Sequence, residues 1–131
     1  MDNRKTRYAH YNLNYHLVWI PKYRRRVLRD EVKGLVEQAI REKGKALGVK
    51  VLELMVMDDH VHLFVSAPPR FSPSELTGQF KGYSSRRARE RFPRLRAVNR
   101  QSLWTDTYYA GTAGTVSLDT IKRYIAEQEH G

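Results

Sequence analysis

The chain contains no cysteine, which excludes disulfide staples, thiolate chemistry and cysteine-ligated zinc together. It has no apolar run of about 18 residues, so nothing in it reads as a membrane span. The opening stretch MDNRKTRYAH lacks the apolar segment of a secretory signal. The expected home is therefore the reducing cytoplasm, with no membrane involved. A glycine-rich phosphate-binding loop is also missing, as is the aromatic motif of RNA-binding sheets. No repeat or linker divides the 131 residues, which read as a single domain spanning 1–131.

Acids are scarce as well. There are 14 Asp and Glu against 24 Lys and Arg, a formal net charge of +10. The positive residues are grouped. Lys22, Arg24, Arg25, Arg26 and Arg29 form one cluster; Lys81, Arg86, Arg87, Arg89, Arg91, Arg94, Arg96 and Arg100 form another, with Glu90 the one acid in that stretch. Clustering of one sign points to a polyanionic partner. Neither cluster lies on a strongly apolar-faced helix, which favours nucleic acid over an acidic membrane surface.

Local patterns predict the elements. YNLNYHLVWI (Tyr11–Ile20) alternates as a strand with Tyr15, Leu17 and Trp19 on one face, and Pro21 ends it. Helical spacing of Val32, Leu35, Val36, Ala39, Ile40 and Leu47 predicts a helix over Asp30–Leu47, capped by Gly48. Val49–Met57 and His60–Ser66 read as an antiparallel pair joined at Asp58-Asp59. Ser72, Pro73 and Glu75 carry the signature of a helix start, with Leu76, Phe80 and Tyr83 facing inward and Pro93 ending the helix. Ser102–Gly111 reads as a fourth strand, Gly111 and Gly114 as a joint, and 117–129 as a last helix capped by Ser117. The order β-α-β-β-α-β-α predicts an α+β fold: a ferredoxin-like, RRM-like four-stranded antiparallel sheet with two helices on one face, plus an added C-terminal helix.

In HVHLFVS, Val61, Leu63 and Val65 share one strand face and His60, His62 and Phe64 the other. The aliphatic face suits the helices, which leaves the histidines on the open side, roughly 7 Å apart along the strand. Two readings stay open: a metal pair, or two half-exposed histidines in ordinary hydrogen bonds. Tyr124 and Gln128 are four apart, hence on one face of the last helix. They read either as a phenol and an amide presented along an edge, or as a core-rim aromatic beside a solvated amide. His16 reads as structural or a neighbour of DNA; His10 and His130 carry no signal.

Taken together, YHLVWIPKYRRRVL, MDDHVHLFVSAPP, FKGYSSRRARERFP, LWTDTYYAGTAG and TIKRYIAEQ resemble the small single-tyrosine HUH transposases of insertion sequences. The resemblance runs along nearly the whole chain. It implies that His60, His62 and Gln128 ligate a divalent ion, Mg²⁺ or Mn²⁺, and that Tyr124 is a nucleophile forming a 5′-phosphotyrosine. It also implies single-stranded DNA with hairpins as substrate, and a homodimer with active sites shared between protomers. Lys22, Arg24, Arg25, Arg26, Lys81, Arg86 and Arg87 are the expected DNA contacts, with Tyr23 and Tyr83 stacking on unpaired bases. Asp58 departs from the proline frequent at that position in the family. A domesticated relative acting at chromosomal palindromes, a non-catalytic single-stranded nucleic-acid-binding module and an unrelated metalloprotein are the alternatives.

Overall fold

The structure is a computed structural model that describes residues 11–97, 102–112 and 118–127. Strands β1 (Leu13–Trp19), β2 (Lys50–Met57), β3 (His60–Ala67) and β4 (Tyr109–Thr112) form one sheet in the order β2-β3-β1-β4, with every neighbour antiparallel. Helices α1 (Asp30–Leu47) and α2 (Pro73–Arg91) cover one face, and α3 (Leu118–Glu127) follows β4. This is the ferredoxin-like strand order, with the added helix at the end. Among the described residues no helix is long and apolar enough to cross a membrane.

The alternation read from the sequence sets the layers. Tyr15, Leu17 and Trp19 from β1 and Val61, Leu63 and Val65 from β3 are all buried, together with Val36 and Ile40 of α1 and Leu76, Phe80 and Ala88 of α2. Each large side chain removed from water contributes about 1.5–3 kcal/mol. α1 ends as its composition dictates. Gly48 takes φ 73°, its N–H donates to the Lys45 carbonyl and that of Val49 to Gly44, a two-bond left-handed cap. Because Val49 donates to the helix end, β2 begins at Lys50 and not at Val49. α2 starts with the full reciprocal cap: the Glu75 N–H donates to Ser72 Oγ and the Ser72 N–H to Glu75 Oε1.

Three expectations need correction. The fourth strand is shorter and later than Ser102–Gly111. The segment before Tyr109 meets β1's end only through a bridge between Pro21 and Trp104. There Trp104 turns into the core, edge-on to Trp19 with ring centroids 6.0 Å apart, and its indole N–H donates to Lys81 O and Ser84 Oγ. Lys81 Nζ meanwhile donates to the carbonyls of Thr105 and Thr107, groups a longer strand would have offered to β1. Gly111 is not in a joint: it lies within β4, opposite His16, while Gly114 and Ser117 lie outside the described residues. Tyr83 does not face inward. It is half-buried on the seam between α1 and α2, donating to Glu42, and the inward positions beside it are the small Ser84, Ser85 and Ala88.

β2 carries a register shift between Val51 and Glu53. The extra residue, Leu52, is exposed. Beyond this bulge Leu54 and Val56 turn toward the helices, while Met55 and Met57 stand on the open face opposite His62 and His60.

Candidate active site

The open face of the sheet gathers the chemistry. His60, His62 and Phe64 project from β3, and His16, Val18 and then Ile20 from β1 and the residue after it, in the phase opposite to the core. His16 sits opposite Phe64 and stacks on it at 4.3 Å with rings 10° from parallel. Its Nδ1 lies 3.0 Å from His62 Nε2. His60 is held from its other side, its Nδ1–H donating to Asp59 Oδ1 at 3.0 Å. Asp59 is in turn gripped by Arg24 Nε at 3.1 Å. Each histidine of the pair thus has one nitrogen engaged and its ring orientation set.

The electrostatics keep these groups in definite states. Burial lowers the pKa of His62, and the neighbouring His16 adds to the lowering. Burial likewise lowers that of His16, opposed by the charge of Glu53. Both rings are therefore neutral at neutral pH, with lone pairs on nitrogen. For Asp59, burial works to raise the pKa, but the hydrogen bond from His60 and the charges of His60, Arg24 and Arg26 outweigh it and the net shift is downward. Asp59 stays an acceptor.

Tyr124 lies on this same face. It is buried, packing with Val18 and Ile20 while Tyr109 and Ile125 lie against the cluster. Val18 is directly opposite His62 on one side and Tyr109 on the other. Ile20 follows the pair Trp19–Val61, which brings it level with His60. The phenol thus sits on the two aliphatic side chains that flank the histidine pair, one strand away. Its Oη is 3.3 Å from Thr107 Oγ1. Burial raises its pKa, and the contact with Thr107 only partly offsets that, so in this seat the hydroxyl is protonated. Gln128 lies outside the described residues, as do His10, His130 and Arg100. Among the described residues no group of three or more His, Cys, Asp or Glu could hold a metal ion. The donor chemistry nevertheless suits a divalent ion completed by an amide from elsewhere: two imidazoles on one face, each oriented through one of its nitrogens.

The basic residues divide into two kinds. In the loop after β1, Tyr23 and Arg24 hold φ of 61° and 50°, a left-handed conformation costly for such residues and often found beside functional sites. Asp58 and Asp59 tie this loop to the β2–β3 turn. Leu28 N–H donates to Asp58 O, Arg26 and Arg29 approach the Asp58 carboxylate at 3.8 Å, and Arg24 takes Asp59. Asp58 thus serves as a cleat for the basic loop. Arg25 and Arg26 are exposed, Lys22 half-exposed over the Tyr23 ring, and Arg86 exposed beside the Tyr83 ring. Arg86, Arg89 and Arg96 line an open cavity of about 540 Å³.

Lys81 and Arg87 have other employment. Lys81 is fixed to two backbone carbonyls, and burial brings its pKa down to about 8 against the pull of Asp106. Arg87 is paired with Glu42 and Tyr83. Both brace the scaffold, and the triad also takes up the Tyr83 hydroxyl. The sequence reading missed Asp59 and the contact made by His16. The available signal was phase: His16 is in step with Val18 and Ile20, and the predicted strand order puts β1 beside β3.

The family described as IS200-like transposase matches residues 9–128. The ISDra2 transposase TnpA of Deinococcus radiodurans is 33% identical over 129 residues, covering 98% of this chain and 92% of that protein. The transposase for insertion sequence element IS200 of Salmonella typhimurium is 32% identical over 134 residues, covering 99% and 88%. Among solved structures, that of a protein assigned as a transposase in D. radiodurans superposes with a TM-score of 0.87 at 32% identity, covering 95% of this chain and 96% of that one. A REP-associated tyrosine transposase bound to a REP hairpin shares the fold, with a TM-score of 0.57 at 12% identity over 90% and 65% of the chains. Transposases of this family are DNA-cleaving and strand-transferring enzymes. The chain belongs to the IS200-like transposase family.

Proposed function

We propose that this transposase cuts and rejoins single-stranded DNA at hairpin-flanked element ends through a 5′-phosphotyrosine on Tyr124, as a metal-dependent homodimer. The observation that best supports this is the seat of Tyr124 on Val18 and Ile20, on the face that carries His60 and His62 and one strand from them. His60 and His62, with Gln128, would hold Mg²⁺ or Mn²⁺. Bound there, such an ion supplies Lewis acidity toward a phosphate oxygen.

The remaining work belongs to the chain. The Tyr124 oxygen attacks phosphorus and the P–O3′ bond breaks. The phenolic proton is lost and the departing oxygen gains one, leaving a free 3′-OH. Attack by another 3′-OH breaks the phosphotyrosine bond and restores the phenol, so rejoining consumes no ATP. Burial raises the Tyr124 pKa where it sits, so its oxygen attacks only as the phenolic proton is given up. In the homodimer, α3 can instead carry the phenol to the partner's histidine strand. Arg24, through Asp59, orients His60. Lys22, Arg25, Arg26 and Arg86 lie at least partly exposed and are the phosphate contacts we assign to the DNA.

Incubated with single-stranded hairpin DNA and Mn²⁺, the protein is expected to form a protein–DNA species that survives SDS. Tyr124→Phe should abolish it while DNA affinity persists. An adduct on the Phe variant would dismiss Tyr124 as nucleophile. Loss of DNA binding in His62→Ala to the same degree as loss of cleavage would dismiss the ligand role.

A further inference from the structure

We propose that Met55 and Met57 form a nucleobase platform beside the histidine pair, on which unpaired bases next to the cut phosphate lie. The inference rests on the reading of this face as a seat for single-stranded DNA. Met55 is the cross-strand partner of His62, and Met57 that of His60. The pair is thus flanked by apolar side chains on both sides. On the β1 side stand Val18 and Ile20, with Tyr124 packed on them. On the β2 side stand the two methionines, 45% and 46% exposed.

That exposure has no origin in folding. From Leu54 to Met57 the strand is apolar at every position, a pattern ordinarily covered on both faces. Here Leu54 and Val56 pack toward the helices and only the methionines face outward. The bulge decides which residues do so. Val51 pairs with Val65 but Glu53 with Phe64, so Leu52 is an extra residue. Without it the register would turn Met55 and Met57 inward and set Leu54 and Val56 beside the histidines. Bulges next to active sites re-aim side chains in this way, and the residues sent outward here are the two long thioethers.

Charge selects the occupant. Met57 leads directly into Asp58 and Asp59, whose carboxylates hold Arg24 at 3.1 Å and Arg26 and Arg29 at 3.8 Å. The same loop carries Lys22 and Arg25, and Tyr23, whose ring is 53% exposed with Lys22 Nζ 5.5 Å from its centre. A cationic loop is therefore moored at one end of the apolar strip. At the other end the exposed residue opposite Phe64 is an acid, Glu53. Unpaired DNA, with flat apolar bases on a phosphate backbone, matches that polarity: backbone toward the loop, bases over the sulfurs. A second copy of the chain, or an apolar peptide, would gain nothing from the cations. Aromatic rings usually perform this task, but Phe64 is already stacked on His16 at 4.3 Å. Thioethers are polarisable and adapt to rings of different outline, which suits bases held by stacking and not read by hydrogen bonds.

The test compares two labelled probes by fluorescence anisotropy on the full chain, in EDTA so that no strand is cut. One is an oligothymidylate about 12 nucleotides long; the other is an abasic chain with the same number of phosphates. Wild type is expected to bind the thymidylate more tightly. Met55→Ser combined with Met57→Ser should weaken that binding roughly 5- to 20-fold, leave the abasic probe and the salt slope unaffected, and keep the urea midpoint. Met55→Leu with Met57→Leu, which preserves the apolar surface, should recover most of the loss. Wild-type affinity of the double Ser variant for the thymidylate overturns the proposal. So does an equal loss on both probes, or a wild type that binds both probes equally. Sedimentation that shows the double Ser variant dissociated from dimer to monomer overturns it in favour of an interface between copies. A wild type that binds neither probe removes the DNA reading itself, an outcome distinct from the others because no variant is needed to see it.

Discussion

The two faces of the sheet are written on the same strands and obey different rules. On the helix side, Leu17, Trp19, Val61, Leu63 and Val65 are all completely buried, and their polar neighbours are caps and small hydroxyls. On the open side the alternate residues of the same strands are His16, Val18, His60, His62 and Phe64, half-covered except where Tyr124 sits on Val18. One side tolerates only shape and apolarity. The other carries groups that hydrogen-bond, stack and titrate, and it is only partly closed by α3. A single period-two pattern thus separates the work of folding from the work of chemistry, because successive strand side chains point to opposite faces.

That division can be attacked directly. The largest effect on folding should come from the closed side: Leu63→Ala is expected to cost about 2–5 kcal/mol in urea unfolding. Its neighbour Met55, exposed opposite His62, should tolerate Met55→Ser within about 0.5 kcal/mol. Equal losses would mean that the open face is covered by something that contributes as a core does.

Lys81 offers a sharper test, because it braces the scaffold with a half-buried amine. Its pKa is about 8 in the folded chain and 10.5 in its ordinary state. Between those values the unfolded chain keeps a proton that the folded one has released, so stability should rise with pH across that window. The neutral amine still has hydrogens to donate to both carbonyls. Urea midpoints of wild type and Lys81→Met measured at both ends of the window should differ in slope, the variant lacking the rise contributed by Lys81. An unchanged slope would mean that the amine stays charged.

The smallest expected effects lie at the exposed charges. Arg25→Ala should reduce the slope of log affinity against log salt for single-stranded DNA by about 1, with stability unchanged. Arg87→Ala should do the reverse, because its charge is spent on Glu42 and Tyr83. It should lower stability and leave the salt slope intact. If Arg87→Ala instead flattened the slope, the sorting of cations by their protein partners would be wrong.

Much is legible in the sequence because its causes are local. Asp30–Leu47 is a helix because of its apolar spacing and Gly48, and α2 starts where Ser72, Pro73 and Glu75 say it must. The inward and outward faces of β3 follow from alternation alone. The fourth strand was misplaced because its apparent first half, around Trp104, is drawn off the ladder by a partner, Trp19, that is remote in the chain. Tyr83 was misassigned because helical spacing does not reveal that the seam beside it offers Glu42 and Arg87. Lys81 and Arg87 looked like their basic neighbours, since a charge in a sequence carries no record of the acceptor it will meet.

What the chain determined by itself is the alphabet of the site and the side each letter faces: two imidazoles in phase on a strand, a phenol on a terminal helix, and bases in groups. The propensities and periods that govern those features act over a few residues. The tertiary structure alone decided which of them meet. Strand order sets His16 against His62, the β2–β3 turn delivers Asp59 to both His60 and Arg24, and α3 lays Tyr124 on Val18. Those contacts depend on surfaces brought together by burial of the opposite face, a force that no stretch of sequence feels until the whole sheet has closed.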